Sequence, residues 1–406
     1  MAGVLDGFKI VAMEHWVVVP HASVLLADWG ADVIKVEPVT GEQSRGLGRE
    51  RGVSTEIKLG GRVDVNPGFQ LMNRGKRSLA VDLKKEAGRK ALCQLVKKSD
   101  VFVSNYELSA LKKLGLDYGN LSQLNPRLIY ASVSGYGSAG PDKDERAFDE
   151  VAFWARSGME YTTAEAGSVP PREPSGMGDR ITSVHVVAGI MAALLHREKT
   201  GKGQEIELSL LRSAVWCISS TIQGALSGQP LRRDSRTKAQ NPLANNYRTK
   251  DARWLRLMIP QSDLYWTDVC RAIGRPELEK DPRFINMETR RQNCEELIRI
   301  LDETFASNSI EEWDKICKKY HLIYTRVQSP TEVIADPQAL ANDFFVELDH
   351  PAGRLKLVAG PIKFHQNPAV VRGPAPEVGQ HTEEILLELG YTWEDVARLK
   401  EQAVIL

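Results

Sequence analysis

Apolar runs alternate with helical spacing through the N-terminal half of the chain. Phe8 to Met13 reads as a buried strand, Ala22 to Trp29 as a helix stopped by Gly30, and Asp32 to Glu37 (DVIKVE) as the next strand. The βαβ pattern recurs in SLAVDL (78–83), a charged helix from Lys84 to Lys98, DVFVSN (100–105), a second helical stretch and LIYASVSGY (128–136). This order predicts a parallel, Rossmann-like sheet. From Ser183 to Glu198 the residues Val184, Val187, Ala188, Met191, Leu194 and Leu195 follow helical spacing, which predicts a core-facing helix with Asp179 just ahead of it. GKGQ (201–204) reads as the C-cap turn of that helix, leading into the strand EIELSL.

Between Trp216 and Tyr247 the periodicity weakens into GQPLRRDSRTKAQNPLANNY, a polar run rich in turn formers. The expected architecture is α/β: a large Rossmann-like domain over 1–215, a linker over 216–244 and a small α/β domain over 245–333. A return linker (334–371) then leads to C-terminal helices (372–406) that pack back on the large domain. The small domain reads as a strand, WLRLMIP, with helices around Asp263 to Ile273 and Glu288 to Phe305 and an amphipathic helix starting near Glu311.

Composition narrows the function. Lys+Arg and Asp+Glu both number 53, with no long block of one sign, so no nucleic-acid-binding tail is expected. Five scattered cysteines (Cys93, Cys217, Cys270, Cys294, Cys317) do not suit a full disulfide framework and fit a reducing cytoplasm. The segment MAGVLDGFKIVAMEHWVVVP has acidic residues and a helix-breaking Pro20 where a signal peptide needs a basic start and an unbroken apolar run. The longest apolar candidate, Ser183 to Leu195, is broken by His185, so no membrane span is expected and the chain reads as soluble.

The first strand-to-helix turn, MEHWVVVPHA, lacks the glycines of a dinucleotide fingerprint, and neither a P-loop nor a G-x-S-x-G elbow is present. In PREPSGMGDRITS, Asp179 follows two glycines and precedes a helix, where backbone N–H groups would hold its carboxylate ionised. It reads either as a nucleophile or as an N-cap. The turn NRGKRS gathers Arg74, Lys76 and Arg77 around a glycine, either as a phosphate site or as a solvated turn. His15 and His21 flank the carboxyl end of the first strand, where open α/β sheets place ligands, but no metal-ligand spacing accompanies them. Trp16, Trp154, Trp254 and Trp266 line an acyl pocket or fill cores.

Taken together, DVIKVE, NRGKRS with AVDL, VSNY…LKKLGLD, NPRLIYASVSGYG, the GMGD segment and LLHREKTGKGQEIELSL resemble the family III CoA-transferases. These motifs span most of residues 5–215. The resemblance implies an interlocked dimer, as a homodimer or with a homologous subunit. It implies acyl-CoA and carboxylic acids as substrates, with no tightly bound cofactor. The family's nucleophile falls on Asp179, and its CoA contacts on His15, Trp16, Met72, Lys76, Asn105, Tyr106 and Lys113. In the similar α-methylacyl-CoA racemases a G-H-D triplet supplies a base, whereas here the triplet is Ala147-Phe148-Asp149. A transferase is therefore favoured over a racemase, and retention of Asp179 disfavours a non-catalytic subunit. MIPQSDLYW (258–266) replaces the glycine run of the oxalate enzymes and resembles the phenyllactate type, pointing to a bulkier, aryl-bearing acid.

Overall fold

The computed structural model describes residues 3–46, 49–50, 53–61, 63–231, 233 and 235–406. Met1 and Ala2 of the N-terminal segment, and Arg232 and Asp234 of the expected linker, lie outside the described residues. The chain divides into two compact units. The larger comprises 1–160, 172–226 and 341–406, and the smaller 161–171 and 227–340.

Six strands of the larger unit form one sheet: β1 (Lys9–Met13), β2 (Asp32–Glu37), β3 (Arg77–Ala80), β4 (Val101–Ser104), β5 (Ile129–Ser134) and β6 (Gln204–Ser209). All pairings are parallel, in the order β6-β5-β4-β1-β2-β3. The chain thus builds outward from β1 in one direction, then returns to β1 and builds in the other. That reversal between β1 and β4 opens a crevice at their carboxyl ends, the usual ligand position in such sheets.

Alternation along the strands explains why the sheet is covered on both faces. Ile10 and Ala12 of β1 pack with the helices Val18–Asp28 and Met177–Thr200, whereas Val11 and Met13 pack with Glu86–Lys97 and the C-terminal helices Thr382–Leu389 and Trp393–Glu401. Pro20 does not end the first helix. It sits in the first turn of Val18–Asp28, where its missing N–H has no intrahelical partner to lose.

The helix Met177–Thr200 begins earlier than its apolar pattern suggests, so Asp179 lies inside its first turn. Its buried face also differs from expectation, since Val184 and Leu195 are exposed while Ser183, Val186, Val187, Ile190, Ala193 and Leu194 are buried. A segment apolar on most sides carries little directional signal. By length and composition this helix could cross a membrane, contrary to the sequence expectation, but here it is a layer of the sheet's core.

Within 334–371, expected as a return linker, the strands Phe345–His350 and Gly353–Val358 form a hairpin that buries Leu348, Leu355 and Leu357. The smaller unit holds a three-stranded antiparallel sheet (Asn246–Arg248, Trp254–Leu257, Tyr324–Arg326) against helices Ser262–Ala272, Cys294–Phe305 and Ile310–Lys319. Its own core contains Tyr247, Leu255, Trp266, Leu301, Phe305 and Trp313.

Candidate active site

A cavity of about 410 Å³ opens where β1, β4 and β5 end, within the larger unit. The loop after β1 supplies His15 and Trp16, the loop after β4 supplies Asn105 and Tyr106, and the helix Met177–Thr200 supplies Asp179. Asn105 ties the first two loops together, accepting from His15 N at 3.1 Å and donating to His15 O at 2.8 Å. The His15 ring lies 4.7 Å from that of Tyr106, and burial lowers its pKa, with Glu42 opposing. Trp16 has φ +59°, a left-handed conformation unfavourable for a bulky side chain.

The first turn of Met177–Thr200 shows what caps the helix that carries Asp179. The helix starts from Gly176 at φ +62°, with no side chain of its own as cap. Asp149, 2% exposed, accepts the Gly178 N–H at 3.1 Å through Oδ2 and so caps the helix from outside. Gly178 is required there, because a Cβ on it would lie 2.1 Å from Asp149 Oδ1. Asp179 is therefore not the cap. Among the described residues its carboxylate forms no hydrogen bond, and it faces the cavity.

That freedom overturns the expectation of a carboxylate held ionised by backbone N–H groups. Burial, then the nearby Asp149 and Glu150, push the Asp179 pKa up to about 7, with Arg180 opposing. Asp149 is itself pushed up to about 6 by burial, although the Gly178 N–H pulls the other way. Among the described residues its Oδ1 is buried without a hydrogen-bond partner.

The charged side chains of the NRGKRS turn are engaged within the protein. Arg74 pairs with Asp28 at 2.7 Å, and Arg77 reaches Asp32 and Glu388 at 3.2 and 2.8 Å. Lys76 Nζ donates to Glu14 Oε1 (2.6 Å), Pro20 O (3.1 Å) and Asn73 Oδ1 (3.1 Å), which uses all three of its donors. With Lys35 and Glu42 it belongs to a buried cluster of two lysines and two glutamates under the His15–Trp16 loop. His21 is no cavity residue: its Nδ1 lies 3.1 Å from Val17 O, and burial drops its pKa to about 3. No group of three or more His, Cys, Asp or Glu stands ready for a metal among the described residues.

The model of CoA-transferase family III matches residues 5–382. The chain belongs to that family. Among curated relatives, the (R)-2-hydroxy-4-methylpentanoate CoA-transferase of Clostridioides difficile is 33% identical, covering 99% of each chain. The cinnamoyl-CoA:phenyllactate CoA-transferase of Clostridium sporogenes is 30% identical over 99% of this chain and 97% of its own. A CaiB/BaiF family protein from Brucella suis superposes with a TM-score of 0.84 at 27% identity, covering 96% of this chain and all of that one.

Of the residues singled out for this family III CoA-transferase, the cavity brings together His15, Trp16, Asn105, Tyr106 and Asp179. Three others stand apart from its lining: Met72 on the helix Pro67–Asn73, the fully engaged Lys76, and Lys113, exposed in the last turn of Leu108–Lys113. Sequence reasoning missed Asp149, although it lies in the very triplet searched for a histidine. It also missed Glu14, Lys35 and Glu42, whose partners are distant in sequence.

Proposed function

We propose that the chain moves CoA from an acyl-CoA donor to a bulky carboxylic acid, with Asp179 carrying first the acyl group and then the CoA. The observation that carries this reading is a carboxyl group in the crevice with no structural task, beside a second acid that does the capping. The Asp179 carboxylate attacks the donor thioester and expels CoA thiolate, leaving a mixed anhydride. The thiolate then attacks the Asp179 acyl carbon, releasing the donor acid and leaving an aspartyl-CoA thioester. The acceptor carboxylate reverses both steps and frees Asp179. The unpaired N–H groups at the start of Val18–Asp28, where Val17 provides no side-chain cap, are suited to receive the tetrahedral oxyanions.

Two features support a bulky acid. Trp16, Val17, Val18, Val133, Phe148 and Leu210 give part of the cavity an apolar lining, beside a charged rim of Glu107, Lys143, Asp144, Glu145 and Arg146. Relatives named for a branched 2-hydroxy acid and for phenyllactate match along nearly the whole chain. Free thiols at all five cysteines support a reducing, cytoplasmic setting. The helix Ser219–Leu226, which buries none of its residues, and Trp216, 71% exposed, support association with a second chain, to be measured by light scattering.

Trapping tests the chemistry. With donor acyl-CoA alone, hydroxylamine should convert Asp179 to a hydroxamate, seen as a mass change in the peptide containing GMGDR. Labelling of another acidic residue instead would overturn the assignment. Absence of any label during turnover would favour proton-transfer chemistry, read by exchange in deuterated water.

A further inference from the structure

Two aromatic rings meet in the cavity, and each is held from both sides. The Trp16 and Phe148 rings are edge-to-face, with centroids 5.9 Å apart and planes at 85°. On one flank, Asn105 fixes His15 while Glu42 Oε2 accepts from Trp16 N at 3.5 Å. Glu42 is in turn held by Ser44 N at 2.9 Å and by the buried Lys35 at 3.3 Å. This scaffold keeps Trp16 in its left-handed conformation, which a free loop would relax.

On the other flank, Ala147 packs so closely on Gly135 that a Cβ there would lie 2.2 Å from the Ala147 methyl. Asp149 is anchored on Gly178. Phe148, held between these two anchors, is nonetheless 59% exposed. Rigid backbone around an uncovered ring is unusual for a residue whose task is core filling.

Both flanks converge on the residues that carry Asp179. Val17 packs against Gly176, 3.4 Å from where its Cβ would be, and Asp149 bonds Gly178. We infer that Trp16 and Phe148 form the specificity-determining wall of the acyl subsite, selecting aryl and branched side chains over short linear ones. This rests on the reading of Asp179 as the acyl carrier. An acyl group on Asp179 lies beside the wall, where a phenyl ring or an isobutyl group covers the exposed Phe148 face and a propionyl group does not. Phe148 thereby sets substrate choice at the position where a racemase would hold its base.

The test is the single-turnover rate of Asp179 hydroxamate formation with propionyl-CoA, 4-methylpentanoyl-CoA and 3-phenylpropionyl-CoA. The wild-type protein should label faster with the two bulky donors. Phe148→Ala should erase that advantage, lowering the ratio of bulky-donor to propionyl-CoA labelling rates by about 10–50-fold. Phe148→Leu should keep much of the preference for the branched donor and lose most of the aryl preference. Unchanged ratios in Phe148→Ala would overturn the inference, as would an equal fall with all three donors. Because the ring is exposed, thermal unfolding of both variants should match the wild type, which separates selectivity from misfolding. No labelling of wild-type Asp179 by any donor during turnover would overturn both the inference and the Asp179 reading. Labelling with unaltered ratios would overturn the inference alone.

Discussion

Two clusters of charge lie beside the cavity, one buried and one only partly so, and they are built on opposite rules. Beneath the His15–Trp16 loop, Glu14, Lys35, Glu42 and Lys76 balance in sign and are bonded to one another, with Lys76–Glu14 at 2.6 Å and Lys35–Glu42 at 3.3 Å. At the start of Met177–Thr200, Asp149 and Asp179 stand near Glu150, with Arg180 the opposing charge. The first cluster is compensated, so its chemistry is spent on holding a loop. The second is frustrated: burial and like charge raise both pKa values, which natural cores avoid unless the strained group has work to do.

The sharpest way to break this contrast is to remove one group from each cluster. Asp179→Ala should lower CoA transfer by more than about 10³-fold while the fold and CoA binding persist. Steady-state assay beside calorimetric titration with CoA checks this, and near-normal turnover would remove Asp179 from the centre of the chemistry. Glu14→Ala should act on the fold instead. It leaves Lys76 and Lys35 buried with a lost partner, for a destabilisation of about 3–5 kcal/mol in denaturant unfolding. Glu14→Leu combined with Lys76→Met should recover more than half of that loss, since an apolar pair needs no compensation.

Stability against pH sharpens the contrast further. Asp179 has a folded pKa of about 7 against 3.8 for the ordinary side chain, so the folded state retains a proton that the unfolded state gives up. Its destabilising effect is absent below the ordinary value, grows as pH rises through the interval, and is complete above about 7. Asp179→Asn should therefore stabilise the protein, by on the order of 3 kcal/mol at pH 8 and roughly a third of that at pH 5. Thermal unfolding at the two pH values reads the difference, and an equal gain at both would refute the frustrated state.

The smallest effect expected is on the acid limb of activity. Asp149→Asn keeps an acceptor for the Gly178 N–H but removes a negative charge beside Asp179. The pH midpoint for Asp179 labelling should fall by about one unit, equivalent to ~1.4 kcal/mol. An unmoved midpoint would show that Asp149 acts on the helix start alone.

Much of this was legible before any coordinates. Period-two and period-3.6 patterns in DVIKVE, DVFVSN and LIYASVSGY specify the strands and helices of the sheet, because each element must bury one local face. The family resemblance singled out His15, Trp16, Asn105, Tyr106 and Asp179, and in this topology they converge on one crevice. Gly176 and Gly178 hide the start of the long helix in the sequence, because glycine carries no apolar signal. They are glycines for other reasons: one adopts positive φ, and the other yields space to Asp149.

What tertiary structure alone decided is the state of each charge. Lys76 looks like a phosphate ligand in NRGKRS, yet Glu14, 62 positions earlier, takes its proton-rich end into the core. Asp179 looks like an N-cap, yet Asp149, 29 positions before Gly178, does the capping and leaves it free. Periodicity is a local property and survives in one dimension. Partnership and desolvation depend on which distant groups the fold brings within a few ångströms, and those distances set whether a buried charge is silent or reactive.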